Sequence, residues 1–369
     1  MAVSNSEPGH RTIRQSSKQS KLVERPIEIW AFSFIPSYEK LLAEEQRAML
    51  EGNVFITGGA GYLARAIYQR ARKEQWNCKF TCFSTDDSKH AILSEQYPEV
   101  TTIRGDISDI SIDVLSSLMK GHRYVIHAAA IKYVDRAEFN VLDTIRVNIN
   151  GSQNVAMAAY HAGVERVLAI STDKACEPIN IYGMTKAVME RIFCECARIF
   201  SGTEFAVVRY GNVVASTGSV ITLFRKQEKE GILKITDQNM TRFWMSPNEA
   251  VDTVLMGLLG ADNGTIIVPS CRAMNMMDVA KAASPGIPIE IICKRAGEKV
   301  FETLIHKAES VRSEIFYTDK ESYPKVFWGI HQPPTDMASP EFSLISEFPQ
   351  AGFISIEEMQ EIISNAETI

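Results

Sequence analysis

The sequence predicts an α/β chain with a doubly wound, parallel sheet, and three observations predict it. From Asn53 onward short apolar runs alternate with segments of helical period. The first run passes straight into a glycine-rich turn, Thr57-Gly58-Gly59-Ala60-Gly61, that opens a helix. The 369 residues, at 45% hydrophobic content, suffice to bury a large core. Parallel neighbours need a crossover segment between them, so strands that alternate with helices imply a parallel sheet.

Residues 1–25, rich in Ser, Gln, Lys and Arg, read as a disordered segment or a leader. Residues 26–50 carry apolar surface, including Ile27, Trp30, Phe32 and Phe34, and read as an N-terminal arm able to dock on the main domain or a second subunit. Residues 51–213 form a Rossmann-type domain. Its strands lie at NVFIT, KFTCFS, VTTIRG, YVIHAAA, VLAIST and FAVVRYG, with helices such as GYLARAIYQRARKEQ and TIRVNINGSQNVAMAAYHAG between them. In residues 214–369 the rhythm loosens: LKITD, TIIVP and IEIICK alternate with helices near NEAVDTVLMGLLG and MMDVAKAA. This is a smaller C-terminal α/β region, interleaved with the first.

The totals exclude several classes. A net charge of -6 argues against a nucleic-acid partner. Seven scattered cysteines, with no Cys-x-x-Cys and no paired His spacing, offer neither a disulfide framework nor a metal site. No apolar run approaches the roughly 20 residues of a membrane span, and the N-terminus lacks a signal-peptide core. The expectation is a soluble, cytoplasmic protein without metal or membrane span.

The glycine turn is the first stretch that carries chemistry. Gly58 and Gly61 let the backbone turn tightly and approach a pyrophosphate, and the helix that follows presents unpaired N–H groups and its positive dipole end. Thr57, Gly58, Gly59, Ala60, Gly61, Tyr62 and Leu63 are therefore expected on a dinucleotide. At the end of the second strand, Asp86 suits the ribose hydroxyl of NAD, whereas Ser84, Thr85 and Lys89 suit the 2′-phosphate of NADP. Both cofactors stay open, with NADP slightly favoured. Asp106, past the third strand, is placed to meet the adenine edge or to cap a turn.

The second stretch runs from Val167 to Glu190. An apolar strand leads into Ser171, Thr172, Asp173 and Lys174, at the carboxyl end where doubly wound sheets hold ligands. Tyr182-x-x-x-Lys186 follows on a helix. At i, i+4 the two side chains share a face, so the lysine charge can favour tyrosinate and make the phenol a usable base.

The motifs TGGAGYLA, HAAAIKYVDRAEFN, STDKACEPINIYGMTK, RYGNVVASTGSV, MTRFWMSPNEAV and RAGEKVFE occur in that order over roughly residues 53–330. Together they resemble the extended short-chain dehydrogenase/reductases, and within them the UDP-N-acetylglucosamine 4,6-dehydratases that invert C5. Thr172-Asp173-Lys174 is the specific part, since the retaining sugar-nucleotide dehydratases carry Thr-Asp-Glu. Three positions depart from the family pattern: Thr85 replaces an arginine, Ala296 a proline and Tyr133 a histidine.

The resemblance implies a UDP-sugar substrate, a tightly bound NADP or NAD, a C-terminal substrate-binding region and a homo-oligomer. Tyr182 would take the C4 hydroxyl proton as hydride leaves for the nicotinamide, with Lys186 tuning the phenol and holding the ribose. Thr172 would bond the C4 oxygen, a neutral Lys174 would remove the C5 proton, and Asp173, or a water it holds, would protonate the departing C6 hydroxyl. Ile107, Ala128, Ala129, Ala130, Lys132 and Asn148 would serve the cofactor. Lys132, Asn212, Gly218, Ser219, Val220, Thr241, Arg242, Arg295 and Glu298 would serve the substrate. The alternatives are a 4- or 5-epimerase on the same fold and a non-catalytic dinucleotide-binding protein; simple 4-epimerisation needs no Asp-Lys pair, and a binding role requires none of this chemistry.

Overall fold

Each apolar run from Asn53 onward becomes a strand and the helical segments become helices. The first half comprises β1 (Gly52–Thr57), α1 (Tyr62–Lys73), β2 (Cys78–Ser84), α2 (Asp87–Gln96), β3 (Thr101–Arg104), α3 (Ile112–Met119) and β4 (Tyr124–His127). Next come α4 (Val134–Phe139), α5 (Val141–Ile145), a π-helical turn at Arg146–Asn150, α6 (Gly151–Ala162), β5 (Arg166–Ile170), a 3-10 turn at Asp173–Ala175, α7 (Ile181–Ile199) and β6 (Glu204–Val208). The computed structural model describes residues 50–295, 297–318, 325–331, 341–347 and 349–366. The expected leader, and the expected arm except for Leu50, lie outside them.

The second half adds β7 (Asn212–Val213), α8 (Val220–Glu228), β8 (Leu233–Ile235), β9 (Thr241–Met245), α9 (Pro247–Leu259), β10 (Ile266–Pro269), β11 (Arg272–Asn275) and α10 (Met276–Ala283). It ends with β12 (Ile289–Ile291), β13 (Thr303–Ile305), α11 (Lys307–Ser310), β14 (Ser313–Thr318), β15 (Lys325–Ile330), β16 (Leu344–Ile345) and α12 (Ile356–Ala366). Nine strands form one sheet in the order β14-β15-β10-β6-β5-β4-β1-β2-β3, parallel from β3 to β10 and antiparallel at β15 and β14. The TIIVP run, read in sequence with the smaller region, is thus β10 of the main sheet.

The central strands show why the sheet is covered on both faces. Val54, Phe55, Ile56, Val125, Val167, Leu168, Ala169, Phe205 and Val207 are fully buried, without the polar alternation of a half-wet sheet. On one face Phe193 of α7 packs against the rings of His127 and Phe205, with centroids 5.7 and 6.1 Å away. On the other, Gly257 lets α9 sit so close that a Cβ there would lie 2.6 Å from Leu168 Cδ1 and 2.7 Å from Val208 Cγ1. The C-terminal region has its own core, including Phe224, Leu233, Trp244, Val279 and Met359. Among the described residues no helix is long and apolar enough to cross a membrane, and no His, Cys, Asp and Glu cluster could hold a metal ion.

Candidate active site

The strand order reverses at β1, which pairs with β2 on one side and β4 on the other. A crevice opens beyond the carboxyl ends of the strands at such a reversal. Gly58 there has φ +68°, and a Cβ would lie 2.8 Å from Ala129 N and 2.9 Å from the Ala128 carbonyl carbon. Only glycine lets the turn after β1 rest on the segment after β4. That seat is closed by Ala128 N donating to Thr57 O at 3.1 Å and Ala129 N to Thr57 Oγ1 at 3.3 Å. Helix α1 then starts at Gly61 with no side chain capping its first N–H groups. Such an end accepts an anion, and this combination fits a dinucleotide pyrophosphate. Tyr62 turns away, its hydroxyl donating to Ala366 O at 3.2 Å.

At the end of β2, Asp86 caps α2 by accepting from Lys89 N at 3.1 Å, and Lys89 Nζ returns to it at 2.8 Å. Ser84 Oγ lies 2.6 Å from His90 Nε2, and Thr85 is exposed. The surrounding protein, and then the charge of Lys89, hold the Lys132 ammonium below its usual pKa. Two cations near one place favour an anion between them. Asp106 follows its turn reading: Oδ1 accepts from Ser108 N at 2.9 Å and Ser108 Oγ at 2.5 Å, and Oδ2 lies 3.7 Å from Arg146. Ile107 behind it is buried.

Asn148 sits inside the π-helical turn and is buried. Its amide donates to Ile131 O and Thr185 Oγ1, each at 3.0 Å, and its Oδ1 accepts from Ile131 N at 2.8 Å. It thus ties the segment after β4 to α7, one residue before Lys186. His127 is held between Thr57 Oγ1 at 2.8 Å and Ser152 Oγ at 2.9 Å. Burial, and then the charge of Lys186, push its pKa down to about 3. The unfolded chain takes up this proton near pH 6.5 and the folded one only near 3, so stability falls as pH falls between them, by about 1.4 kcal/mol per pH unit. Melting temperatures taken from pH 6.5 down to 4.5 should therefore decline less steeply for His127→Gln than for the wild type; equal slopes would clear His127 of this effect.

The groups expected to react meet where the 3-10 turn touches α7. A Cβ on Gly183 would run into the Lys174 carbonyl oxygen, so glycine beside Tyr182 permits the contact. Thr172 Oγ1 donates to Asp173 Oδ1 at 2.9 Å, and Lys174 Nζ donates to the same oxygen at 3.0 Å. Tyr182 stands beside this group, close enough for Lys174, Asp173 and Thr172 each to bear on its phenol. These contacts join Thr172, Asp173 and Lys174, with Tyr182 next to them. Asp173 is fully buried, and its Oδ2 has no hydrogen-bond partner.

The charges differ from the expectation in two ways. Burial pushes the Tyr182 phenol up to about 12; the cation that opposes this is Lys174, with Asp173 acting against it. Lys186 instead points its amine at Met189 Sδ, 2.9 Å away, and burial, offset by Glu190, lowers its pKa to about 7. Sharing a helix face did not bring the Lys186 charge onto the phenol. Lys174 feels burial first, but Asp173 and Glu302 outweigh it and hold the ammonium at about 12. The neutral base expected from the resemblance is therefore not the form that these surroundings favour.

On the substrate side, Gly218 has φ +73° and packs under the Tyr133 ring. Ser219 opens α8 without capping it, just ahead of Val220, and its buried hydroxyl has no partner. Asn212 lies on β7, half-buried, paired with Trp244. Arg295 is exposed, in a turn where Glu298 Oε2 accepts from Arg295 N at 3.3 Å. Arg242 and Thr241, expected on the diphosphate, have other partners because β9 runs beneath the loop before β13. The Arg242 guanidinium donates to the carbonyls of Thr241, Val300 and Lys299 at 2.7–2.9 Å. Thr241 Oγ1 lies 2.9 Å from Ser346 Oγ. Both residues clamp a loop.

Sequence reasoning missed three groups. Asn180 caps α7 through Gly183 N at 2.7 Å and donates to Gly297 O at 3.0 Å, joining the reacting helix to the RAGEK loop. Glu302 approaches Lys174. Arg209 lies buried between Glu190 and Glu309. Asn ahead of a helix was a readable cap signal; Glu302 ends the RAGEKVFE motif and Arg209 opens RYGNVVASTGSV, but neither motif names their partners.

Residues 54–321 match the family profile described as "Polysaccharide biosynthesis protein". The chain belongs to that family. This polysaccharide biosynthesis family member is 39% identical over 264 residues to a UDP-N-acetylglucosamine 4,6-dehydratase (inverting) of Campylobacter jejuni, covering 70% of this chain and 78% of the relative. It is 38% identical over 279 residues to a UDP-glucose 4-epimerase of Rickettsia bellii, covering 72% and 81%. Among solved structures, Pen from Bacillus thuringiensis superposes with a TM-score of 0.76 at 28% identity, covering 86% of this chain and 98% of that one. A dTDP-glucose 4,6-dehydratase of Streptomyces venezuelae shares the fold, with a TM-score of 0.60 at 19% identity over 67% of this chain and 86% of that one.

Proposed function

We propose that the protein is a sugar-nucleotide 4,6-dehydratase that converts UDP-N-acetylglucosamine to a UDP-4-keto-6-deoxy-N-acetylhexosamine with inversion at C5. One observation carries this reading: a carboxylate and an ammonium, Asp173 and Lys174, lie 3.0 Å apart beside Tyr182, whose phenol feels both charges. Epimerisation at C4 moves one hydride and one hydroxyl proton, which Tyr182 alone can serve. Elimination of water across C5 and C6 needs a second acid and base.

Bound nicotinamide supplies the redox half, accepting hydride from C4 and returning it to C6. Tyr182, as phenolate, takes the C4 hydroxyl proton while Thr172 bonds the oxygen, leaving a 4-ketone that acidifies the C5 proton. The Lys174 proton then moves to Asp173, giving a neutral amine and a carboxylic acid from an ion pair. The amine takes the C5 proton; the C6–O bond breaks, and the hydroxyl leaves as water with the Asp173 proton. A proton drawn from solvent to the opposite face of C5 would complete the inversion, while Tyr182 returns to solvent the proton it took from the C4 hydroxyl, so that each side chain regains its starting state. Lys186 and Asn148 hold the cofactor side, and Lys89 with Lys132 supports NADP over NAD through the 2′-phosphate. Phe139 and Leu142, 89% and 83% exposed, support a homo-oligomer. Seven free thiols support a cytoplasmic setting.

The test is turnover of UDP-N-acetylglucosamine in deuterium oxide, read by mass spectrometry and NMR, with NADP and NAD run in parallel. Loss of one water with deuterium at C5, faster with NADP, is expected. Lys174→Ala should bind the dinucleotide, form the 4-ketone and release no water. A C4 epimer of unchanged composition would establish the epimerase instead, and wild-type product from Lys174→Ala would remove that lysine from the mechanism.

A further inference from the structure

Glu302, on the loop leading into β13, is 2% exposed and far in sequence from every reacting group. Its carboxylate faces three cations: Lys174 Nζ at 3.7 Å and Arg242 Nε at 3.8 Å from Oε1, and Lys299 Nζ at 3.6 Å from Oε2. None of the three lies within hydrogen-bond distance, and among the described residues buried Oε2 has no hydrogen-bond partner. A buried carboxylate without its own hydrogen bonds is costly to keep. The neighbouring side chains are committed elsewhere: Arg242 to three backbone carbonyls and Lys299 to Cys176 O at 2.8 Å. Of the three cations, only Lys174 belongs to the reacting chain.

Resting on the dehydratase reading, we propose that Glu302 is a positioning residue for elimination, which holds the Lys174 ammonium in place and sets how readily it surrenders its proton. The charged and titratable groups around that ammonium come from four elements: Asp173 from the 3-10 turn, Tyr182 from α7, Arg242 from β9, and Glu302 itself from the loop before β13. Asp173 and Glu302 favour the ammonium, and Arg242 opposes it. Asp173 also takes part in proton transfer, so Glu302 is the carboxylate whose effect can be changed without removing an acid from the reaction.

The variants are Glu302→Gln, which keeps size and removes charge, and Glu302→Asp, which keeps charge. Two measurements on the full-length protein separate the possibilities. The first is competitive acylation of Lys174 across pH, read by peptide mass spectrometry, which requires no turnover. Its midpoint should move down by about one pH unit or more in Glu302→Gln, a tenfold gain in free amine at a given pH. Glu302→Asp should stay near the wild-type value. The second is the pH profile of deuterium entry at C5 during turnover of UDP-N-acetylglucosamine, whose acid limb should move in the same direction. An unchanged acylation midpoint in Glu302→Gln overturns the proposal, including when KM rises because the loop has shifted. Absence of turnover in the wild type overturns the dehydratase reading and, with it, the elimination role of Glu302; a shifted acylation midpoint would then leave only its influence on Lys174.

Discussion

Tyr182→Phe is expected to lower C4 oxidation by about 10²–10⁴-fold, the range contributed by a positioned acid–base group. The phenol is half-buried and lies beside the hydrogen-bonded group Thr172, Asp173 and Lys174. Phenylalanine retains the ring and its packing, while Gly58, Gly61 and the start of α1 are untouched, so dinucleotide affinity should stay within about twofold. Reduced cofactor formed from UDP-N-acetylglucosamine in a single turnover, followed by its absorbance, measures the loss directly. Because burial holds this phenol at about 12 and Lys174 opposes that rise, the wild-type oxidation rate should climb with pH across the neutral range. Lys174→Met should move the climb to higher pH, and an unmoved profile would mean that another cation governs the phenol. Near-normal oxidation by Tyr182→Phe would sink the assignment of the base.

Arg209→Met should cost about 3–5 kcal/mol of stability, because it leaves two buried carboxylates without their shared cation. The Arg209 side chain is 1% exposed and ties three elements together. It donates to both Glu190 oxygens on α7 at 2.9 and 2.6 Å, to both Glu309 oxygens on α11 at 2.9 and 2.8 Å, and to Leu304 O at 2.9 Å. Ser171 Oγ, next to Thr172, donates to Glu190 as well, at 2.6 Å. Loss of Arg209 should thus lower both the urea midpoint and activity. Burial raises the Glu309 pKa, but the charge and hydrogen bonds of Arg209 overcome it and bring it down to about 2. This contribution is present above the unfolded carboxyl value and disappears as pH falls through about 2. The triple variant Arg209→Met, Glu190→Gln, Glu309→Gln, which removes all three charges, should recover much of the loss. A single variant with an unchanged urea midpoint would show that the triad contributes little.

These two predictions differ in how readable their residues were. Tyr182 stands in a spacing that names its chemistry, four residues ahead of Lys186 and eight after Lys174. Arg209 reads as the polar end of FAVVRYG, with nothing nearby to identify partners 19 residues before it and 100 after it. Arg242 differs again. Expected on the substrate, it gives three of its five N–H groups to the carbonyls of Thr241, Lys299 and Val300. Chemical type was legible there, and the identity of the acceptor was not.

The sequence by itself determined the strand–helix alternation, the glycine turn that opens α1, and the local groups Thr172-Asp173-Lys174 and Tyr182-x-x-x-Lys186. Each depends on backbone geometry or neighbours a few residues apart, and a linear pattern records such relations. Tertiary structure alone decided the charge each group carries. Burial works against the Lys174 charge, and its neighbour Asp173, joined by Glu302 from 128 positions later, keeps it protonated, while Lys186 turns toward Met189 and is driven toward neutrality by burial. Electric fields and desolvation act through space, so a lysine's pKa depends on which distant segments fold against it.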